Sequence, residues 1–334
     1  MKHQIEAFIK EFEDAEQCLA VQTSGSTGVP KRIRVEKNRM RGSAQRTLDS
    51  IGLRSGAVAL ICLPMQYIAG KMMVVRALVG DMRIEAVTPS SNPLLEWDES
   101  RGGEQTLIAV TPHQLAEIMS EPSSLSKLQC ISHVIIGGGA IPEQVEVMAS
   151  KLPDSVAVYA TYGMTETLSH IALRRINGAN PQRAFVPLAG VTIGQDAEGC
   201  LWLTDELTSP QLLQTNDIVE MLPDGGFIVI GRRDNIISSG GIKLQLEQIE
   251  RRLSEVISDD FMLTYVNDSR FGQALTMLYK GEMTAELLRQ QCAERVGGYE
   301  VPKYFFRVQE MPQTATGKPA RKSAHQLAQS LKDK

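Results

Sequence analysis

Between residues 50 and 170, short apolar runs alternate with stretches whose apolar residues recur at helical spacing. The runs VALICL (58–63), RIEAV (83–87), TLIAV (106–110), HVIIG (133–137) and VAVYAT (156–161) predict buried strands. The intervening stretches 67–79, 112–120 and 142–151 predict helices, the last two opened by Pro112 and Pro142 at first-turn positions. Such alternation predicts a mostly parallel sheet covered by helices, with ligands at the carboxyl ends of its strands. Two strand ends fall in notable places. One runs into Gly137, Gly138 and Gly139, and the other into Tyr162, Gly163, Thr165 and Glu166.

Beyond residue 185 the pattern changes. GCLWLT and DIVEMLPDGGFIVIG predict antiparallel strands, the latter a hairpin turning at Asp224-Gly225. A polar, Gly-containing segment then leads into a helix on which Leu246, Ile249, Leu253 and Val256 recur at helical spacing. Strands near 261–266, 273–280 and 304–308 and a helix near 284–296 complete a small α+β unit. The expected domains are 1–232 and 233–334, with the boundary at 231–235.

Composition narrows the class. At 43% hydrophobic and 22% charged residues, the chain has the profile of a water-soluble globular protein. A net charge of -4 gives no strong pull toward nucleic acid or a membrane surface. The first 17 residues are charged and predict an amphipathic helix rather than a signal peptide, and no run approaches the roughly 18 apolar residues of a membrane span. The expected location is cytoplasmic. Cys18, Cys62, Cys130, Cys200 and Cys292 lie far apart, in or beside apolar segments, and are expected to be reduced core residues. The histidines show no ligand spacing, which argues against a structural metal. Mg²⁺ stays open, since it needs only a carboxylate plus substrate phosphates.

The stretch VQTSGSTGVPKRIRV (21–35) supports two readings. Clusters of Ser, Thr and Gly commonly form plain surface loops. Glycines, hydroxyls and a lysine also make a phosphate cradle, with backbone N–H groups converging on the anion. It is no Walker A loop, because Gly25 and Gly28 are three apart and Lys31 follows Pro30.

Four segments, TSGSTGVPK (23–31), YGMTET (162–167), TNDIV…GRRDNIISSGG (215–241) and PQTATGK (312–318), occur in this order. Together the chain resembles the acyl-adenylate-forming (ANL) superfamily. With LPMQYIAGKMMVVRAL and SHIALRRIN, it is similar within that superfamily to the short o-succinylbenzoate–CoA ligases of menaquinone biosynthesis. The resemblance implies an α/β large domain with a shortened N-terminus, which binds ATP and the acyl group, and a small mobile C-terminal α+β domain. It implies a two-step ligation in which a carboxylate and ATP give acyl-AMP and pyrophosphate, and coenzyme A then displaces AMP. Mg²⁺ would be the cofactor, ATP and coenzyme A the co-substrates, and all partners small molecules, with a homo-oligomer left open. Two departures stand out. Only 22 residues precede the hydroxyl-rich loop, so either the fold is trimmed or an acyl-site wall comes from elsewhere, and Gln248 stands where the family often has Glu.

Site roles follow from the resemblance. Thr23, Ser24, Gly25, Ser26, Thr27, Gly28 and Lys31 would hold the β- and γ-phosphates. Thr165 would bond the α-phosphate, Glu166 would ligate Mg²⁺, and Tyr162 would stack on adenine. Gly138 and Gly139 would let backbone approach the adenine or acyl group, while Asp217 and Arg232 would bond the ribose. Lys318 would neutralise charge during adenylation, and Asp234 would be the hinge that brings Gly240 and Gly241 to the thioester step. Tyr67, Lys71, Gly163 and Arg174 would face the acyl substrate. Taken singly, these residues have ordinary readings too: Tyr162 as packing, Glu166 as a helix-start acid, Arg232 as a surface salt bridge, Lys71 as a snorkelling lysine. The competing functions are a ligase for another acid, an adenylation domain loading a carrier protein, and a nucleotide-binding regulator without turnover.

Overall fold

The computed structural model describes residues 1–22, 32–314 and 319–334; the expectations placed on 23–31 and on Lys318 lie outside the described residues. The chain divides into two units. The first holds Met1–Gly194, Trp202–Leu213 and Met221–Ile228, and the second holds Gln195–Leu201, Gln214–Glu220 and Val229–Lys334.

In the first unit, helix α1 (Lys2–Glu13) buries Ile5, Phe8 and Phe12 on one face, as its amphipathic pattern predicts. Strand β1 (Cys18–Gln22) pairs antiparallel with β2 (Arg32–Glu36). Helix α2 (Lys37–Ile51) buries Met40, Ala44, Leu48 and Ile51 along one stripe and ends on Gly52 in the left-handed conformation. The main sheet is built from β3 (Val58–Ile61), β4 (Arg83–Ala86), β5 (Thr106–Val110), β6 (His133–Ile136), β7 (Ala157–Gly163), β8 (His170–Arg175) and β9 (Val186–Pro187), in the order β4–β3–β5–β6–β7–β8–β9. From β4 to β7 the pairs are parallel; β8 runs antiparallel to β7, and β9 to β8. Every residue of β3, β5 and β6 is buried, which accounts for their unbroken apolar runs.

Helices α3 (Ile68–Val79), α4 (Pro112–Ser120), α5 (Pro122–Leu128) and α6 (Glu143–Ser150) connect these strands. Thr111 and Gln114 form a capping box that opens α4, with Pro112 at the first helical position as expected. Pro142 is different: it caps α6 in an extended conformation, one residue before the helix begins. Strands β10 (Val191–Gln195), β11 (Cys200–Asp205), β12 (Ser209–Met221) and β13 (Phe227–Arg232) pair in that order, and residues of these strands are shared between the units. Gly225, at φ +84°, supplies the predicted turn between β12 and β13.

The second unit continues with β14 (Ile236–Ser239), β15 (Ile242–Gln245), α7 (Leu246–Leu253), β16 (Asp260–Asp268), β17 (Gly272–Lys280), α8 (Ala285–Arg295), β18 (Tyr304–Arg307) and α9 (Arg321–Lys332). Alternation along β16 and β17 feeds two cores. Leu263, Leu275 and Met277 pack with Leu246, Ile249 and Leu253 of α7 and Leu288 of α8, whereas Met262, Val266 and Leu278 pack with Ala324 and Ala328 of α9. Helix α7 stops at Leu253, so Val256 is exposed and Ile257 takes the buried place expected of it.

Cys62, Cys200 and Cys292 are buried and reduced, but Cys130 is exposed, a correction to the expectation that all five are core residues. Among the described residues no helix is long and apolar enough to cross a membrane, and no cluster of three or more His, Cys, Asp or Glu could hold a metal.

Candidate active site

In the first unit the chemistry expected at the end of β7 is built by a tight change of direction. The pairing of β7 with β8 shifts register between Tyr162 and Gly163, and Thr165–Thr167 form a single 3₁₀ turn before β8 begins. Gly163 is required here by close approach. A Cβ at this position would lie 2.3 Å from the Ser169 carbonyl oxygen and 2.5 Å from His170 Cα, both backbone. The buried Thr167 hydroxyl accepts from the Met164 N–H at 3.0 Å and donates to the Ser169 carbonyl at 2.7 Å. Leu168 closes the turn at φ +62°, a conformation that costs a β-carbon residue about 1–3 kcal/mol and that the surrounding packing must hold.

This turn leaves Glu166 exposed and Thr165 half-buried. A single exposed carboxylate fits the donor set of Mg²⁺ wherever substrate phosphates and water supply its other ligands. Tyr162 joins a three-ring cluster, edge-on to Phe227 at 5.1 Å and tilted toward Phe185 at 5.9 Å. Gly138 and Gly139 lie exposed just beyond the end of β6.

Beneath the turn lies a buried polar chain that sequence reasoning did not single out. Arg76 on α3 is 2% exposed and donates from Nη2 to Ser169 Oγ at 2.5 Å. Ser169 Oγ is 3.4 Å from His170 Nδ1, His170 Nε2 is 3.0 Å from Thr47 Oγ1, and Thr47 Oγ1 donates to the Ser43 carbonyl at 3.0 Å. One proton arrangement satisfies all four contacts: Ser169 donates to Nδ1 and a neutral His170 donates from Nε2 to Thr47. Burial, with Arg76 and Arg46 nearby, pushes the His170 imidazolium well below the usual histidine range. Arg46 has a carboxylate partner, buried Asp205, through a two-pronged contact of 3.0 and 2.8 Å. Burial opposes charge on Asp205, yet hydrogen bonds from Arg46 and Thr208 outweigh it and hold the carboxyl below its ordinary range. The sequence signal for Arg76 is a lone arginine inside the apolar run MMVVRAL.

The expected acyl-site residues are placed as follows. Tyr67 caps the start of α3. The half-buried Lys71 ammonium donates to the Ala20 carbonyl at 3.3 Å and sits 5.2 Å over the Phe8 ring, between β1 and α1. Arg174 is held in a two-pronged contact with Glu146 of α6, at 2.6 and 2.7 Å, and lies over Phe185.

In the second unit, Asp217, Arg232 and Asp234 come together. Arg232 donates to Asp217 Oδ1 at 3.0 Å and to Asp234 Oδ2 at 2.9 Å, and the Asn216 amide donates to both Asp234 oxygens at 3.2 Å. Thr215 Oγ1 receives the Asp217 N–H at 3.0 Å and fixes that residue's backbone. Asp234 occupies a 3₁₀ turn, Arg233–Asn235, that joins β13 to β14. Next to it the Asn235 amide donates to Glu247, whose carboxyl burial pushes above its ordinary range. Gly240 and Gly241, at φ +59° and +85°, form the two-residue turn of the β14–β15 hairpin, a geometry that needs positive φ at both positions.

Comparison with known proteins agrees on one family. Residues 7–199 match the AMP-binding enzyme family. A 2-succinylbenzoate–CoA ligase of Bacillus cereus (strain Q1) is 26% identical over 357 residues, which cover 98% of this chain and 73% of that protein. The crystal structure of an acyl-CoA synthetase (AMP-forming)/AMP-acid ligase II-like protein from Dyadobacter fermentans is 33% identical, with a TM-score of 0.65 over 96% of this chain and 92% of that one. An o-succinylbenzoate CoA synthetase from Bacillus subtilis, solved with its acyl-adenylate intermediate, shares the fold at a TM-score of 0.76 and 22% identity, over 91% of this chain and 68% of that one.

Proposed function

The chain belongs to the AMP-binding enzyme family, and from that premise we propose that it is an AMP-forming acid–CoA ligase whose acid is o-succinylbenzoate. The observation that carries the reading is the end of β7, where a strained turn presents Thr165 and Glu166 at the carboxyl edge of a parallel sheet. The names of the relatives, at 26% identity, support the choice of acid.

In the first half-reaction a carboxylate oxygen attacks the α-phosphorus of ATP, forming an acyl–phosphate bond and expelling pyrophosphate. In the second, the coenzyme A thiol loses its proton, its sulfur attacks the acyl carbon, and AMP leaves. Catalysis of the first half rests on positioning and charge neutralisation around the α-phosphate. Thr165 would donate to that phosphate and Lys318 would offset the charge of both reacting anions. Residues 23–31, with the hydroxyls Thr23, Ser24, Ser26 and Thr27, would hold the outer phosphates. Tyr162 would flank adenine, and Asp217, oriented by Arg232, would accept from the ribose hydroxyls. Glu166 would hold Mg²⁺, whose charge offsets that of the phosphates. Asp234 would change its dihedrals between the half-reactions, with residues 1–232 and 233–334 as the two domains.

The test is a panel of carboxylic acids with ATP and coenzyme A, read by mass spectrometry for acyl-AMP and thioester. Thioester from o-succinylbenzoate is expected. Thioester from a different acid would change the substrate, acyl-AMP without thioester would point to a carrier-protein acceptor, and no pyrophosphate with any acid would overturn enzymatic function.

A further inference from the structure

The positive charge of Arg76 has no anionic counterpart among the described residues. The guanidinium is 2% exposed, its Nη2 rests on the Ser169 hydroxyl, and its Nε lies buried without a hydrogen-bond partner. Arg46, the other buried arginine of this region, is neutralised by Asp205. His170 adds no negative charge, and Thr47 and Ser43 are neutral. Burial without a partner destabilises a guanidinium, and here it lowers the pKa to about 10, which still leaves Arg76 charged at neutral pH. A charge kept in the interior at such a cost is explained when an anion arrives to complete it.

The contact made by Arg76 says where that anion would bind. Ser169 is the last residue of the turn that begins at Thr165; its carbonyl receives the Thr167 hydroxyl, and its neighbour Leu168 holds the positive φ. Arg76 therefore touches the back of the segment whose front carries Thr165 and Glu166. We infer that Arg76 is a positioning residue for nucleotide phosphate: through Ser169 it fixes the turn, and its buried charge favours an anion at the turn's exposed side. The inference rests on the ATP-dependent reading of this turn and adds to it a residue that need not touch the nucleotide. A low-dielectric interior transmits the field of such a charge with little screening.

The experiment compares full-length Arg76→Lys, Arg76→Gln and Ser169→Ala with the parent, measuring affinity for ATP and for uncharged adenosine by calorimetry, and kcat for acyl-AMP formation. Arg76→Gln is expected to weaken ATP at least about tenfold and to leave adenosine unchanged, while Arg76→Lys stays within about threefold of the parent. Ser169→Ala keeps the charge but removes the contact, so it is expected to retain ATP affinity and lose about tenfold in kcat. Equal loss of ATP and adenosine in both Arg76 variants would reduce the residue to a structural role and overturn the inference. So would parent-like ATP affinity in Arg76→Gln. Should Arg76→Gln fail to fold, Arg76→Lys and Ser169→Ala decide: an unchanged kcat in Ser169→Ala overturns the positioning role. A parent chain that binds no ATP overturns the reading of the turn itself, a result distinct from variants that match an ATP-binding parent.

Discussion

Thr47 Oγ1 and His170 Nε2 lie 3.0 Å apart across 123 positions of sequence, joining helix α2 to the first residue of strand β8. The Thr47 hydroxyl proton goes to the Ser43 carbonyl, so the contact requires a proton on Nε2. On the other side of the ring stand Ser169 and the charge of Arg76, with the Arg46–Asp205 pair also near. The folded state therefore holds His170 neutral. Its folded pKa lies below the ordinary value of 6.5, so folding binds fewer protons than the unfolded chain does. This contribution to stability is complete above 6.5 and is lost as pH falls below it toward the folded value. His133 shifts in the same direction through burial, and Glu247 shifts upward, which lends stability at low pH and withdraws it as pH rises. Urea unfolding from about pH 7.5 to about 5 is expected to show a shallower acid loss in His170→Gln than in the parent. Parallel curves would mean that His170 titrates normally.

Gly163 offers a second test of the same corner. The missing Cβ would meet two backbone atoms of residues 169 and 170 at 2.3 and 2.5 Å, neither of which can rotate away. Gly163→Ala is expected to destabilise the protein by about 1–3 kcal/mol through forced backbone movement, and to impair acyl-AMP formation by more than that loss explains. Thermal unfolding and pyrophosphate release would be measured on the same sample. A variant as stable and as active as the parent would show that the turn has room the distances deny.

Lys318 belongs to PQTATGK and is tested by separating the half-reactions. Its charge is needed while the α-phosphate is attacked and has no such duty in thioester formation. Lys318→Ala is expected to cost about 100-fold or more in acyl-AMP formation, in the range of other groups that stabilise developing charge, and little in thioester formation from supplied acyl-AMP. Equal losses in the two halves would remove the assignment.

Asp234 is tied by its carboxylate to Arg232 and Asn216, within the short turn that links β13 to β14. Two substitutions separate its possible duties. Asp234→Ala removes those contacts but leaves the dihedrals free, whereas Asp234→Pro also fixes φ near -65°. Slower thioester formation in the proline variant alone, measured from supplied acyl-AMP, is the outcome expected of a hinge. Loss of equal size in both variants would assign the effect to the lost hydrogen bonds.

The strands of the main sheet were legible because burial on both faces leaves the pattern of an unbroken apolar run, as in Val58–Ile61 and residues 134–136. Helices α2 and α9 leave no clear apolar pattern: the buried face of α2 mixes Lys37, Ser43, Arg46 and Thr47 with Met40, Ala44, Leu48 and Ile51, and α9 buries only Ala324 and Ala328. The segments that carry chemistry were visible as motifs, and the structure adds the neighbours of each: Arg232 between Asp217 and Asp234, and Tyr162 among Phe185 and Phe227. The chain from Arg76 to Thr47 could not be read, because hydrogen bonds between residues 93 and 123 positions apart leave no local period. Cys130 shows the same limit in reverse: lying beside an apolar segment does not make a residue part of the core.

Lys71 carries the sharpest question about the substrate. O-succinylbenzoate has two acid groups, one of which remains charged after activation, and a buried carboxylate without a cationic or well hydrogen-bonded partner is strongly disfavoured. Lys71 stands in a helix whose only other charged residue is Arg76, between Gly70 and Met72, both buried. Its ammonium already has one weak partner, the Ala20 carbonyl at 3.3 Å, and an aromatic face, Phe8. Two of its three N–H donors therefore have no partner among the described residues, as expected of a group that also receives a carboxylate. Arg174 is a poorer candidate, because Glu146 occupies its guanidinium in two hydrogen bonds and an incoming carboxylate would have to displace it. Lys71→Met keeps the length and apolar stem of the side chain and removes the ammonium, with its charge and its contact to Ala20. If the lysine holds the second carboxylate, KM for o-succinylbenzoate should rise roughly 10- to 100-fold, the equivalent of about 1.5–3 kcal/mol for a charged hydrogen bond, with KM for ATP unchanged. If it only ties α3 to β1 and α1, the unfolding temperature falls and both KM values stay where they were. A monocarboxylic analogue that keeps the acid activated by ATP and lacks the other separates the two outcomes further, since its KM should be the same in Lys71→Met as in the parent. An unchanged KM for o-succinylbenzoate in Lys71→Met would pass the role to Arg174 or to its neighbour Arg175, which donates to the Asn177 carbonyl at 2.9 Å and to the Tyr159 hydroxyl at 3.1 Å, and an unchanged value in variants of all three would count against the substrate itself.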